Sequence, residues 1–318
     1  MDRMREQKLR YNGDTELIED FAGECEIRGL TPETIRRYKS SLGIFKEYMN
    51  SQGLSVLDID KRTLKEFLRY LRIEREVKNK TIENYFSALS SFCDYLVYEE
   101  KFDKNPVLPF RKRYIKSYKR IYGESQRKLI SVEEMSMLVN AILDPRDRAI
   151  VVLFAKTGIR RGELINIDID DINWIEQSIR LKDTAKRTNL TVFFDDECAR
   201  ALRRWIKARE YYDIKDDKAL FINKNGKRLR RMGVYRVVVR YATKVGLHDP
   251  ESERIEDHFT PHCFRHWFTT HLRRNGMPRE YIKELRGDTR DEAIDIYHHI
   301  DRKDLRESYL ACIPKLGI

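Results

Sequence analysis

The sequence predicts a mainly α protein with one small antiparallel β-sheet, in which an all-α domain precedes an α+β domain. Three observations predict it. Long stretches carry apolar residues at helical period, one stretch in the second half switches to strict alternation, and a basic, proline-marked segment separates the two regions. At 318 residues the chain has room for two hydrophobic cores.

The first region is helical throughout. "TPETIRRYKSSLGIFKEYMNSQG" (31–53) opens on Thr31-Pro32 with Glu33 in its first turn and stops at Gly53. Its apolar positions Ile35, Tyr38, Leu42, Phe45 and Met49 follow the 3.6-residue period. "TLKEFLRYLRIERE" and "KTIENYFSALSSFCDYLVYEE" repeat the pattern, and residues 15–27 supply a fourth helix. We therefore expect an all-α domain over 1–105, a basic linker over 106–128 and a second domain over 129–318.

The linker concentrates the charge. From Lys101 to Lys128 there are ten Lys/Arg against two acids, so +8 of the chain's net +11 lies in 28 residues. Pro106 and Pro109 are expected to break any helix at its start, and Gly123 and Ser125 to loosen its end. Phe110, Tyr114, Tyr118 and Tyr122 recur every four residues among these cations. Aromatics interleaved with Lys and Arg between two folded units suit a strap over a nucleic-acid backbone. The expected contacts are Arg111, Lys112, Arg113, Lys116, Lys119 and Arg120.

In the second domain, "SVEEMSMLVNAI" starts with a capping box, Ser131 with Glu134 three residues on. "RDRAIVVLFAKTG" is an apolar helix ending at Gly158. Alternation follows: Ile167 and Ile169, then Ile179 and Leu181, then Leu190, Val192 and Phe194, with "TAKRTN" as the turn of the last hairpin. Helices resume from Asp196.

The composition narrows the function classes. A net charge of +11 points to a polyanionic partner. Cys25, Cys93, Cys198, Cys263 and Cys312 are scattered, odd in number and never paired as C-x-x-C, which argues against a disulfide framework or a zinc ribbon. The start has no apolar run and no stretch reaches membrane-spanning length, so a cytoplasmic protein is expected.

One stretch carries the chemistry. "TPHCFRHWFTTHL" (260–272) reads as a helix with Thr260 as N-cap and Pro261 at its first position. His262, Arg265 and His266 then share a face. His262 and His266 are also spaced as a metal pair, but Arg265 between them would repel a cation, and no Glu lies inside the motif. A guanidinium beside an imidazole suits a phosphate.

With "TGIRRGEL" (157–164), a lysine-bearing hairpin and "LRGDTRDEAIDIYHHI" (285–300), this helix completes an order and spacing that resembles the tyrosine recombinases, the phage integrase family. The resemblance covers roughly residues 130–300. The amino-terminal region is similar in type to that family's SAM-like core-binding domain, and the second to its α+β catalytic domain with a tail helix. It implies a site-specific DNA recombinase of the simple two-domain type, working on duplex DNA as a homotetramer, with no cofactor and no metal. It implies as catalytic residues Arg160, Lys186, His262, Arg265, Asp288 and Tyr297. Arg160 and Arg265 would grip the non-bridging oxygens, and His262 would handle the nucleophile's proton or bond the phosphate. Tyr297 would attack phosphorus, and a hairpin lysine would protonate the leaving 5′ oxygen. Lys186, in the turn, is preferred to Lys182 at the end of the incoming strand.

Asp288 departs from the pattern, which usually has His or Trp there; a carboxylate would instead orient a clamp residue or cap a helix, with His298 or His299 replacing the donor. The tail beyond Tyr297, with Leu305, Tyr309, Leu310 and Ile313 on one side, is expected to dock on a neighbouring protomer. A type IB topoisomerase-like relaxing activity, a non-catalytic DNA-binding relative and a metal-dependent nuclease are the alternatives. The lack of clustered carboxylates counts against the last.

Overall fold

The computed structural model describes residues 2–115, 129–183, 187–288 and 300–318, with side chains from residue 13 onward. It divides into two compact units, Met1–Glu124 and Ser125–Ile318.

The first unit is all helical: α1 (Asp2–Ile27), α2 (Pro32–Ser51), α3 (Lys61–Arg69) running into a π turn (Tyr70–Glu74), α4 (Asn79–Tyr98) and α5 (Val107–Tyr114). Helix α1 is longer than the expected 15–27. The Thr31 hydroxyl caps α2, and Asp60 caps α3 through the amides of Arg62 and Thr63. Phe21, Phe45, Phe67, Phe86 and Phe92 form the buried centre, with Phe45 edge-on to Phe67 at 4.9 Å.

Helix α5 corrects the expected boundary at residue 105. Pro106 sits at its N-cap and Pro109 in its first turn, where a missing N–H removes no helical bond, so the prolines start a helix instead of breaking one. Val107 and Phe110 are buried in the first unit's core, Phe110 stacked on Phe86 at 5.4 Å. Phe110 is thus a core anchor, and Arg111, Lys112 and Arg113 occupy the last turn of α5, where the helix dipole favours cations. Lys116, Lys119, Arg120, Tyr118 and Tyr122 lie outside the described residues.

The second unit is built around α7 (Pro145–Thr157), buried from Ala149 onward. Around it lie α6 (Val132–Asn140), α8 (Arg161–Ile165), α9 (Asp196–Arg209), α10 (Arg231–Lys244), α11 (Pro261–Arg274), α12 (Arg279–Arg286) and α13 (Arg302–Cys312). The capping box of α6 forms as the sequence predicts, with Ser131 and Glu134 exchanging hydrogen bonds.

A three-stranded antiparallel sheet, β1 (Ile172–Asn173), β2 (Ser178–Arg180) and β3 (Thr191–Phe193), lies between α8 and α9 in the chain. Ile172 faces Ile179, and Ile179 faces Val192. The first strand begins later than Ile167–Ile169: residues 169–171 form a 3-10 turn because the Asp168 amide donates to the Asp171 carboxylate at 2.8 Å.

The tail also corrects the sequence reading. Leu305 and Tyr309 of α13 are buried in the core of their own unit, and the Tyr309 hydroxyl donates to the Lys156 carbonyl at 2.8 Å. Beyond α13, the amides of Leu316, Gly317 and Ile318 all donate to the Glu197 carboxylate. The buried Lys156 ammonium reaches Asp195 at 2.9 Å, the Pro314 carbonyl at 2.6 Å and Glu197 at 2.5 Å. In this single chain the apolar face of the tail, Leu305, Tyr309 and Ile313, packs in cis against its own unit.

Candidate active site

The site begins where α7 ends. Gly158 takes φ 58° to close the helix, and a Cβ there would lie 2.5 Å from the Phe268 ring, so only glycine fits. Two residues on, Arg160 is the N-cap of the short α8. Its backbone amide donates to Glu163 at 2.6 Å and its guanidinium at 2.9 Å. Glu163 is buried, so this contact fixes the side chain's direction while Arg160 stays about one-third exposed (34%).

Helix α11 supplies the second guanidinium. Thr260 and Pro261 start it as the sequence predicts, and the Thr260 amide donates to Cys263 Sγ at 3.3 Å. His262 and His266 are exposed, whereas Arg265 is only 6% exposed. Arg265 donates to the Gly158 carbonyl at 3.1 Å, the Arg286 carbonyl at 2.8 Å and Asp288 at 2.8 Å. Burial, with Arg160 and Arg286 nearby, pulls its pKa down to about 10, which leaves it charged at neutral pH. His271 is structural: its Nε2 meets the Ile130 carbonyl at 3.2 Å under the Trp267 ring.

Asp288 is the acceptor these arginines share. Its carboxylate lies 2.8 Å from Arg265, 3.2 Å from Arg286 and 3.7 Å from Arg160. It follows Gly287, whose φ of 59° closes α12. The carboxylate at the departing position thus holds Arg265 and Arg286 and lies near Arg160.

Arg187, at the end of the hairpin turn, is fully buried and bonds Glu163 at 3.2 Å, the Arg286 carbonyl at 3.2 Å, the Leu285 carbonyl at 2.6 Å and the Asn189 carbonyl. Lys182 is held by Asp171 at 2.8 Å and Asp168 at 3.0 Å, and those bonds raise its pKa. Lys186, Tyr297, His298 and His299 lie outside the described residues. Arg111, Lys112 and Arg113 belong to the first unit.

A cleft of about 410 Å³ opens over the two guanidiniums, lined among others by Arg160, Arg161, Arg231, Tyr235, His262 and Arg265. A phosphodiester entering it would meet planar, pre-oriented donors. The sequence reading missed Arg161, Arg231 and Tyr235. Arg161 stands beside a motif residue, but Arg231 and Tyr235 are cations and aromatics of an ordinary helix, far in sequence from every motif. Glu163 and Arg187 were in view as neighbours of Arg160 and Lys186, without a role.

The chain is similar to known proteins over nearly its whole length. The phage integrase SAM-like domain matches residues 15–115, and the phage integrase family matches residues 119–304. The chain is 27% identical over 312 residues to tyrosine recombinase XerD of Staphylococcus epidermidis, covering 94% of this chain and 99% of the relative. The fold is similar to that of the Tn1549 transposon integrase in complex with circular intermediate DNA (TM-score 0.65, 19% identity, 92% of this chain and 98% of that one). It is also similar to XerH site-specific recombinase bound to palindromic difH substrate (TM-score 0.63, 23% identity, 88% and 80%). With the family model spanning more than half of its residues, the chain belongs to the phage integrase family and is a tyrosine recombinase.

Proposed function

We propose that the protein is a site-specific DNA recombinase that cuts and rejoins duplex DNA through a 3′-phosphotyrosyl intermediate, without metal or ATP. The observation that carries this reading is the convergence of Arg160, Arg265 and His262 on one cleft, each arginine backed by a carboxylate, Glu163 or Asp288. In the reaction the Tyr297 oxygen attacks phosphorus, its proton passing to His262, and the phosphorus–5′-oxygen bond breaks. Lys186 gives that oxygen a proton. The two guanidiniums take up the negative charge that grows on the non-bridging oxygens. Because the phosphoester bond is exchanged and not hydrolysed, a 5′ hydroxyl from another strand reverses the step with no external energy.

Four DNA ends must be joined, so the working species is proposed to be a homotetramer on two DNA sites. The cations of α5 and of residues 116–128 would strap the backbone. No helix among the described residues is long and apolar enough to cross a membrane.

The test is a nicked suicide duplex, on which a covalent protein–DNA band is expected in EDTA. Tyr297→Phe should bind DNA and give no band; a band from that variant, or a requirement for added Mg²⁺, would overturn the reading. Relaxation of plasmids lacking the site would favour a topoisomerase-like activity instead.

A further inference from the structure

We infer that Arg187 is the positioning residue of the phosphate clamp, setting the separation of Arg160 and Arg265 from a buried seat that touches no substrate. The inference rests on the recombinase reading and adds to it a residue that no motif marks. Its grounds are shared partners. Glu163, which holds the Arg160 guanidinium at 2.9 Å, also accepts from Arg187 at 3.2 Å. The Arg286 carbonyl, which holds Arg265 at 2.8 Å, accepts from Arg187 at 3.2 Å as well. One planar guanidinium therefore spans the acceptors of both clamp arginines.

The remaining donors fix where that guanidinium sits. Arg187 bonds the Leu285 carbonyl at 2.6 Å and the Asn189 carbonyl, joining the end of α12 to the returning strand of the hairpin. The Thr188 hydroxyl adds a bond to the Asp288 carbonyl at 3.1 Å, and Asn189 one to the Glu284 carbonyl at 3.1 Å. A Cβ on Gly287 would run into the Arg187 side chain, so the turn that presents Asp288 is shaped around it.

An apolar side chain of similar volume would fill this space without the cost of burying a charge. It would not hold Glu163 and the Arg286 carbonyl at a set distance. Lysine would keep the charge but lose the fork that reaches four acceptors. Without Arg187, Glu163 keeps only Arg160 among its described partners and draws that guanidinium back from the cleft.

The experiment uses the full chain and single-turnover cleavage of the suicide duplex, reading the saturating rate and the half-saturating DNA concentration separately. Arg187→Met is expected to slow the saturating rate by about 100-fold, the scale of an ångström-size misplacement of a reacting group, with half-saturation unchanged. Arg187→Lys should recover part of it. A duplex with a neutral methylphosphonate at the scissile position removes charge for the clamp to grip, so the ratio of wild-type to Arg187→Met rates should shrink on it.

A ratio equal on both duplexes, or a full rate for Arg187→Met, would overturn the inference. Absence of any covalent band with the wild-type protein would overturn the recombinase reading itself. Should Arg187→Met fail to fold, as judged by circular dichroism, Gly287→Ala pushes on the same contact and decides by the same two rates.

Discussion

Replacing Lys156 by Met should destabilise the second unit more than any single surface change. The ammonium is fully buried and makes its bonds to Asp195, Glu197 and the Pro314 carbonyl, while the two carboxylates are themselves 1% and 9% exposed. Met keeps the stem's volume, so the loss is electrostatic: two buried carboxylates remain without their common cation. Lys315 touches Asp195 at 3.3 Å, but it is 63% exposed and screened. Removing one partner of a buried ion pair costs about 3–5 kcal/mol. In a unit of the size of Ser125–Ile318, each kcal/mol moves Tm by about 2–4 °C, which puts the expected drop at roughly 6–20 °C. Differential scanning calorimetry reads it directly. Adding Asp195→Asn and Glu197→Gln should return much of the loss, since Asn still caps α9 and no buried charge remains. A drop below about 3 °C for Lys156→Met, near the 1 kcal/mol scale, would refute the claim that this cluster pins the tail.

Burial pulls the pKa of both His271 and His248 below the usual 6.5, so the fold holds them neutral while the unfolded chain takes up their protons. Their stabilisation is whole above pH 6.5 and is lost as pH falls through the folded values; Tm should fall between pH 7 and pH 5, less steeply in His271→Gln, and an unchanged slope in that variant counts against the assignment. Changing Arg111, Lys112 and Arg113 to Gln should flatten the salt dependence of DNA binding by up to about 0.9 for each phosphate no longer neutralised. An unchanged slope, measured by fluorescence anisotropy, means that the last turn of α5 faces away from DNA. Lys186→Ala should be rescued by a 5′-bridging sulfur, which leaves without a proton; rescue of Lys182→Ala alone would exchange the two lysines' roles.

The parts of this protein that were legible in its sequence are those set by local chemistry. The Thr31-Pro32 and Thr260-Pro261 starts, the Ser131–Glu134 box and the period of Ile35 to Met49 act within one or two turns, and each appears where expected. The errors share a different cause. Pro106 and Pro109 look like breakers because a helix start and a helix break use the same residue, and only the burial of Val107 and Phe110 decides between them. Ile167 and Ile169 alternate like a strand, yet the Asp168–Asp171 contact turns the chain first. The tail's apolar face fits a partner or its own domain equally well until Lys156, 158 residues from Pro314, supplies the seat. Arg231 and Tyr235 reach the cleft only because α10 passes beside Gly162.

The arginines of the described site are already held by carboxylates in the free protein. Among the described residues, the guanidiniums of Arg160, Arg187, Arg265 and Arg286 are joined through the carboxylates of Glu163 and Asp288, and Arg161 and Arg231 line the same cleft. Under the proposed mechanism, guanidiniums that bind more strongly as charge grows on the non-bridging oxygens would lower the barrier instead of merely tightening binding. The carboxylates have a further effect. By holding each arginine before DNA arrives, Glu163 and Asp288 remove the reorganisation that flexible cations would undergo during the step. The acidic residue that departs from the family's pattern at 288 is compatible with the proposed reaction, because it holds Arg265 and Arg286 and need not itself donate to the phosphate.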